Sequence, residues 1–229
     1  MTVTLCIDTS TAHCSVALAA GDDVFADTQR LERRHNQELL PMLEALYQGA
    51  GVTVGQTQLV SFAAGPGGFT GVRIAASVAQ AVAMACGCKV VAQRGSSVVM
   101  NSWDAEQRHS EHSVCFVASR AQSFYVSEHV KEGSQWVLKT PDELCEKTPP
   151  WLDLLVQQAT ADSSSLAVLG PVPDWLPEQM RDCCVGEVAP DARSMIAPAR
   201  QAHEHGASVA AEQALPIYVQ GDSPWRKRR

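Results

Sequence analysis

From Leu59 to Ala92 the chain alternates an apolar strand, a glycine-rich loop, a helix of small residues and a second apolar strand. Leu59-Val-Ser-Phe-Ala-Ala64 runs into Gly65-Pro-Gly-Gly-Phe-Thr-Gly-Val-Arg73, a helix is expected from about Thr70 to Cys86, and Lys89-Val-Val-Ala92 follows. A strand that crosses over through a helix to another strand predicts a parallel pair, and so fixes this part of the sheet. The loop has the glycines of a phosphate cradle but not its lysine. After Gly68 come Phe69, Thr70 and Gly71, where a Walker loop needs Gly-Lys-Ser/Thr, so ordinary P-loop hydrolysis is excluded. Gly65, Gly67 and Gly68 suit a tight strand-to-helix turn, Thr70 is a candidate N-cap, and the loop's backbone donors can attract an anion.

Upstream, Val3 to Ile7, Cys14 to Leu18 and Val24 to Arg30 read as three strands joined by the turns Asp8-Thr9-Ser10-Thr11 and Gly21-Asp22-Asp23. Tight turns between consecutive strands predict an antiparallel start to the sheet. Leu39, Met42, Leu43 and Leu46 then recur at helical spacing, with Leu40 and Tyr47 widening the stripe. Asn36 is the expected N-cap, Gly49 or Gly51 the stop, and Pro41 bends the entry.

The polar run from Trp103 to His112 reads as a domain boundary, with an N-terminal lobe over 1–103 and a smaller C-terminal lobe over 113–229. In the second lobe, Ser113 to Ala118, Phe124 to Val130 and Gln135 to Leu138 suggest a small antiparallel sheet. Pro149-Pro150 and Ser163 to Ser165 mark loops, and Leu166 to Leu169 is a strand. A helix over about 194–205 is expected, with packing back on the first lobe as one arrangement for it. Leu215 to Val219 is extended, Arg226 to Arg229 is a basic tail, and no long-period repeat is apparent.

A formal charge of -7 over 229 residues argues against a broad nucleic-acid-binding face. The first residues carry no basic n-region, so no signal peptide is expected, and no apolar segment reaches the ~18 residues that span a bilayer. The eight cysteines contain no Cys-x-x-Cys pair and read as thiols of a reducing compartment. A zinc site at Cys86 and Cys88 lacks two further ligands, and His109 and His112 lie in the polar run, so no metal site is expected.

The strand–Asp-Thr-Ser-Thr–strand opening, the third strand and the crossover unit are similar to the first half of the actin-like ATPase and sugar-kinase (ribonuclease H-like) α/β fold. Together with His35-Asn36, Leu39-Leu40-Pro41-Met42-Leu43 and Gly65 to Ile74, they resemble the TsaB (YeaZ) family closely over residues 3–92. Ala214-Leu215-Pro216-Ile217-Tyr218 and Trp225-Arg226-Lys227 are similar to that family's closing strand and tail. The chain departs from the family pattern at Ala64 and Gly68, and its Ala118 to Tyr125 segment has no acidic residue.

The resemblance implies two lobes with a reduced second one, and a non-catalytic scaffold subunit. Its partner would be a larger TsaD-like paralogue that transfers threonylcarbamoyl to adenosine of tRNA next to the anticodon. It also implies a small TsaE-like ATPase as a further partner, homodimers when the partner is absent, tRNA contact only through the complex, a cytoplasmic location and no membrane. No catalytic residue and no cofactor of its own is expected, with ATP or ADP only at an interface shared with the partner. The interface candidates, taken as exposed, are His35, Leu39, Met42, Leu46, Arg73, Ser77 and Gln80. The alternative is a nucleotide-binding ATPase or phosphotransferase acting through Asp8, Thr9, Ser10 and Thr11. Against it, no second Asp-x-Gly-Thr-like turn follows residue 112, and half a clamp loses positioning and electrostatic preorganisation together. A metallopeptidase is disfavoured because Gln93 to Val98 holds no histidine.

Overall fold

The structure, a computed structural model, describes residues 2–31, 33–104, 110–119, 122–133, 135–159 and 166–219. The basic tail, His109 and Arg120 lie outside them. The chain forms two compact units, 1–98 with 189–217 and 99–188 with 218–229.

The first unit is built on strands β1 (Val3–Asp8), β2 (His13–Ala20), β3 (Asp23–Arg30), β4 (Thr57–Gly65) and β5 (Lys89–Arg94), in the order β3-β2-β1-β4-β5. β1 pairs antiparallel with β2 and β2 with β3, while β1/β4 and β4/β5 are parallel, as the crossover demands. Every β1 side chain is buried because both sheet faces are covered, which is why Val3 to Ile7 reads as an apolar run interrupted only by Thr4.

On one face, Leu5, Ile7, Val16, Leu18, Val60 and Phe62 pack against α1 (His35–Ala50) and α2 (Phe69–Cys86). On the other, the small side chains of Cys6, Ala17, Ala19 and Ala63 admit Ala192, Met195 and Ile196, at the start of α5 (Ile196–Glu204). The late helix, which the sequence reading placed in the C-terminal lobe with packing back on the first as one arrangement, belongs to the first unit. Gln93 secures it, its amide donating to the Met195 carbonyl at 2.9 Å and to Ser61 Oγ at 2.9 Å.

The helix ends differ from expectation. α1 starts at His35 behind Arg34 with no side-chain cap, so Asn36 is a first-turn residue and not the N-cap; Gly51, left-handed at φ 65, ends it. α2 starts at Phe69 behind Gly68, again without a side-chain cap, so Thr70 does not cap it. The 18 residues of α2 have a mean hydropathy of 1.4, long and apolar enough to cross a bilayer, where the sequence reading saw no such segment. About a third of it is buried, and Val72, Ala75, Ala76, Ala79 and Ala83 form that side, most of them in the sheet-covering core cluster.

The chain passes between units within α3 (Gly95–Asp104), a helix the sequence reading did not foresee. Trp103, expected in a polar boundary, is buried with Met100 against Cys115, Ala167 and Leu169. The second unit holds β6 (His112–Ala118), β7 (Phe124–Glu132), β8 (Gln135–Cys145), α4 (Pro150–Ala159), β9 (Leu166–Leu169) and β10 (Cys184–Gly186). Its sheet order is β10-β9-β6-β7-β8, with β6/β7 and β7/β8 antiparallel and β6/β9 and β9/β10 parallel. The three strands expected to pair antiparallel do so, and the parallel β9 and β10 extend them into a mixed sheet.

Strand for strand, β6 to β10 repeat the order and directions of β1 to β5, and α4 occupies the position of α1. This duplication defines the α/β actin-like, ribonuclease H-like fold. It is hidden in the sequence because β9 and β10 are short and the 3₁₀ turn Glu178–Cys183 stands where the first unit has α2.

Candidate functional site

The Asp8–Thr11 turn leaves the end of β1 and meets the glycine loop that leaves β4. Gly68 N–H donates to the Ser10 carbonyl at 2.6 Å, and the Thr9 hydroxyl donates to the Gly71 carbonyl at 2.7 Å. The approach is close enough to exclude side chains. A Cβ on Gly67 would lie 2.7 Å from Ser10 Cβ and from its carbonyl oxygen, and one on Gly71 only 1.8 Å from the Thr9 oxygen. Gly65 has φ +108, a conformation that L side chains rarely adopt. Gly65, Gly67, Gly68 and Gly71 therefore let one backbone lie on another. Thr70, expected in this group, is exposed and serves no such contact.

Asp8 is fully buried beneath this contact. Its Oδ1 accepts from Ser10 N–H at 2.7 Å, and Oδ2 has no hydrogen-bond partner. Burial pushes the carboxyl pKa up, against the opposing pull of the Ser10 bonds and of His35 and His13. Thr11 Oγ1 accepts from His13 N–H at 3.1 Å, and His35 Nε2 lies 3.2 Å from the His13 carbonyl. Apart from Asp8 Oδ2, the polar groups named here pair within the chain. Among the described residues no group of three or more His, Cys, Asp or Glu side chains can hold a metal ion.

Beside the turn lies an open cavity of about 600 Å³, lined by Thr9, Thr11, Arg33, Asn36 and Thr70 and by the first turns of α1 and α2. Neither helix has a side-chain cap, so both present backbone N–H groups there. Arg33 and the two helix N-termini give its otherwise largely apolar walls, which include Phe69 and Ile74, an electropositive edge.

The seven interface candidates do not form one surface. His35, Leu39, Met42 and Leu46 are only 1–6% exposed and face the sheet, which corrects the expectation that they are exposed. At spacings of four, three and four they mark the core side of α1. Gln80 donates to the Ala214 carbonyl at 3.1 Å and so holds the C-terminal segment. Arg73 and Ser77, with the nearly buried Leu39 in its floor, do line a groove between α1 and α2, of about 360 Å³ and mostly apolar walls. Leu40 (61% exposed) and Phe69 (48%) form its rim, with Ile74 and Val78 half-buried inside. The Arg73 guanidinium lies 3.3 Å from the Phe69 ring centroid and donates to the Phe69 carbonyl at 3.2 Å. Leu40, Phe69, Ile74 and Val78 are absent from the sequence-based set. The available signal was Leu40, an apolar residue out of phase with the core stripe.

Residues 29–158 match the family model described as TsaD: tRNA N6-adenosine threonylcarbamoyltransferase. Over 231 residues, 97% of this chain and 96% of the relative, the sequence is 29% identical to the tRNA threonylcarbamoyladenosine biosynthesis protein TsaB of Escherichia coli K12. To the TsaB of Haemophilus influenzae it is 25% identical over 97% of this chain and 95% of the relative. Among solved structures, YeaZ from Pseudomonas aeruginosa aligns at a TM-score of 0.78 and 28% identity, covering 96% of this chain and all of that one. A second Pseudomonas aeruginosa structure, an uncharacterized protein with similarity to peptidase YEAZ, aligns at 0.81 and 29% with the same coverage. The matched domain covers more than half of the chain and the relatives align from end to end: the chain belongs to the TsaD threonylcarbamoyltransferase family, within its TsaB (YeaZ) branch.

Proposed function

We propose that this protein is a non-catalytic subunit of the machinery that makes threonylcarbamoyladenosine in tRNA, docking a larger TsaD-like paralogue through the groove between α1 and α2. The observation that carries the reading is the groove itself. It places an apolar floor of Ile74 and Val78 between exposed Leu40 and Phe69, with Arg73 and Ser77 as its polar margin. Apolar anchors inside a polar rim are the anatomy of a protein interface. The relatives' names, as threonylcarbamoyladenosine biosynthesis proteins, supply the pathway.

The alternative of an ATPase or phosphotransferase acting through Asp8 to Thr11 has weaker support. Thr9 and Ser10 are buried, and the glycine loop lies on their carbonyls, where a transferred phosphoryl group would need space. The cavity beside the turn, with its electropositive edge, suits a nucleotide held jointly with the partner. In this reading the protein self-associates when the partner is absent, meets a small TsaE-like ATPase and tRNA only within the assembly, and works in the cytoplasm.

The experiment is co-expression with the TsaD-like paralogue of the same organism, followed by intact-complex mass measurement and a reconstituted tRNA modification assay. A stoichiometric complex that modifies tRNA, with no ATP turnover by this chain alone, is expected. ATP turnover by the isolated chain that Asp8→Ala abolishes would replace this reading with the enzymatic one.

A further inference from the structure

α2 ends in Cys86-Gly87-Cys88, and the three residues form the turn into β5. Gly87 is left-handed at φ 65, ψ 26, and the Cys88 N–H closes the helix on the Ala83 carbonyl at 3.1 Å. A residue in this mirror image of the helical conformation sets its two neighbours' Cα atoms about 5.4 Å apart. Disulfides form at Cα separations of roughly 4.4–6.8 Å, most often near 5.5–6 Å. Nothing lies within 4 Å of a Cβ built on Gly87, so the turn has room to adjust as a bond closes.

Access favours the same pair. Cys86 and Cys88 are half-buried and form part of the wall of an open cavity of about 570 Å³ that Gln56, Gln58 and Lys89 also line. That space takes a small peptide disulfide, and the Lys89 ammonium attracts its carboxylates. Cys6, Cys14, Cys115 and Cys145 are buried, and desolvation pushes their thiols up, those of Cys14 and Cys145 to about 12. Cys183 and Cys184 are adjacent, and Cα atoms about 3.8 Å apart across a trans peptide fall short of the disulfide window.

We propose that Cys86 and Cys88 form a thiol–disulfide exchange site, closing an intramolecular disulfide around Gly87 at the expense of a low-molecular-weight disulfide such as oxidised glutathione. Cys86 gives its proton to water and attacks one sulfur of oxidised glutathione. The glutathione disulfide bond breaks, a mixed disulfide forms and one glutathione thiolate leaves. Cys88 then gives up its proton and attacks the Cys86 sulfur. The mixed disulfide breaks, the Cys86–Cys88 bond forms and the second glutathione leaves. Two protein thiols are oxidised by two electrons, and one glutathione disulfide is reduced to two thiols. Burial and the neighbouring Cys86 push the Cys88 thiol up, so Cys88 is less often the thiolate that makes the first attack. Oxidation also removes the Cys86 S–H that donates to the Val54 carbonyl at 3.0 Å, releasing α2 from the 3₁₀ turn Val54–Gln56.

The test uses the full reduced chain, equilibrated with oxidised and reduced glutathione, quenched with N-ethylmaleimide and mapped by peptide mass. The peptide holding Cys86 and Cys88 is expected to lose two hydrogens and both alkylation sites together, and to regain them with dithiothreitol. Cys183→Ser with Cys184→Ser leaves that result unchanged, whereas Cys86→Ser or Cys88→Ser stops at a glutathione adduct on the remaining thiol. Glutathione retained on either cysteine of the wild-type chain, or both still alkylated under oxidising glutathione, overturns the proposal. Should a serine variant unfold by circular dichroism, the wild-type peptide map decides alone.

Discussion

Thr9 and Gly71, sixty-two positions apart, meet backbone to backbone: the Thr9 hydroxyl donates to the Gly71 carbonyl at 2.7 Å, and a Cβ on Gly71 would fall 1.8 Å from the Thr9 oxygen. The contact joins the turn after β1 to the first turn of α2, so the start of a helix on the candidate interface is set by the β1–β2 turn. Gly71→Ala must push these backbones apart. A loss of about 3 kcal/mol or more is expected in urea unfolding, the size reserved for strain in a packed interior. A midpoint within experimental error of the wild type would refute the contact.

Leu39 and Leu40 are neighbours with opposite surroundings, 1% and 61% exposed. Leu40→Glu is expected to shift stability by no more than about 0.5 kcal/mol, as surface changes do, while weakening complex formation with the TsaD-like paralogue. Leu39→Glu buries an unpaired carboxylate among the α1 core residues and is expected to leave little folded protein. Thermal melts with a pull-down separate the two outcomes, and equal effects from both variants would refute the assignment of faces.

Asp8 gives the fold a pH dependence of predictable sign. Its folded-state pKa lies above the unfolded value of about 3.9 because burial disfavours the charge. The native chain keeps a proton that the unfolded chain releases. The group's stabilising contribution is therefore whole below about pH 3.9 and is lost as pH rises through the folded value. Asp8→Asn keeps an oxygen for the Ser10 N–H and removes the charge. Urea unfolding is expected to show the variant level with the wild type near about pH 4 and ahead by about 1–2 kcal/mol near neutrality. A gain that instead grows toward acid would contradict the burial argument.

Gln80 reaches from α2 to the Ala214 carbonyl, and Ile217 N–H donates to the Ala64 carbonyl at 2.8 Å. Gln80→Ala is expected to lower stability by about 0.5–1.5 kcal/mol and to speed hydrogen exchange at Ile217. Unchanged exchange there would return Gln80 to the list of residues free to meet a partner.

The strands of the first unit are legible because β1, β2 and β4 are largely apolar runs ended by Asp, Gly or Thr turns, and the crossover fixes which of them lie parallel. α1 is legible in period but not in direction. The helical stripe through Leu39, Met42 and Leu46 was read as an outer surface, yet the widest apolar face is the one a sheet covers. α3 escapes notice because it opens with Gly95, Ser96 and Ser97, poor helix formers, and gains its place from buried Val99, Met100 and Trp103. The state of the Asp8 turn depends on partners 58 to 62 positions away, Gly68 for Ser10 and Gly71 for Thr9, which no local pattern encodes.

The first unit is discontinuous in the chain, and this gives it a vulnerable interval during synthesis. Once residue 98 has left the ribosome its five strands can pair, but the Cys6–Ala17–Ala19–Ala63 face has only Val98 against it until Ala192, Met195 and Ile196 arrive. Residues 99–188, most of the second unit, are translated in between. A nascent chain at this stage shows chaperones an apolar sheet face, and a chain cut at residue 188 keeps it exposed for good.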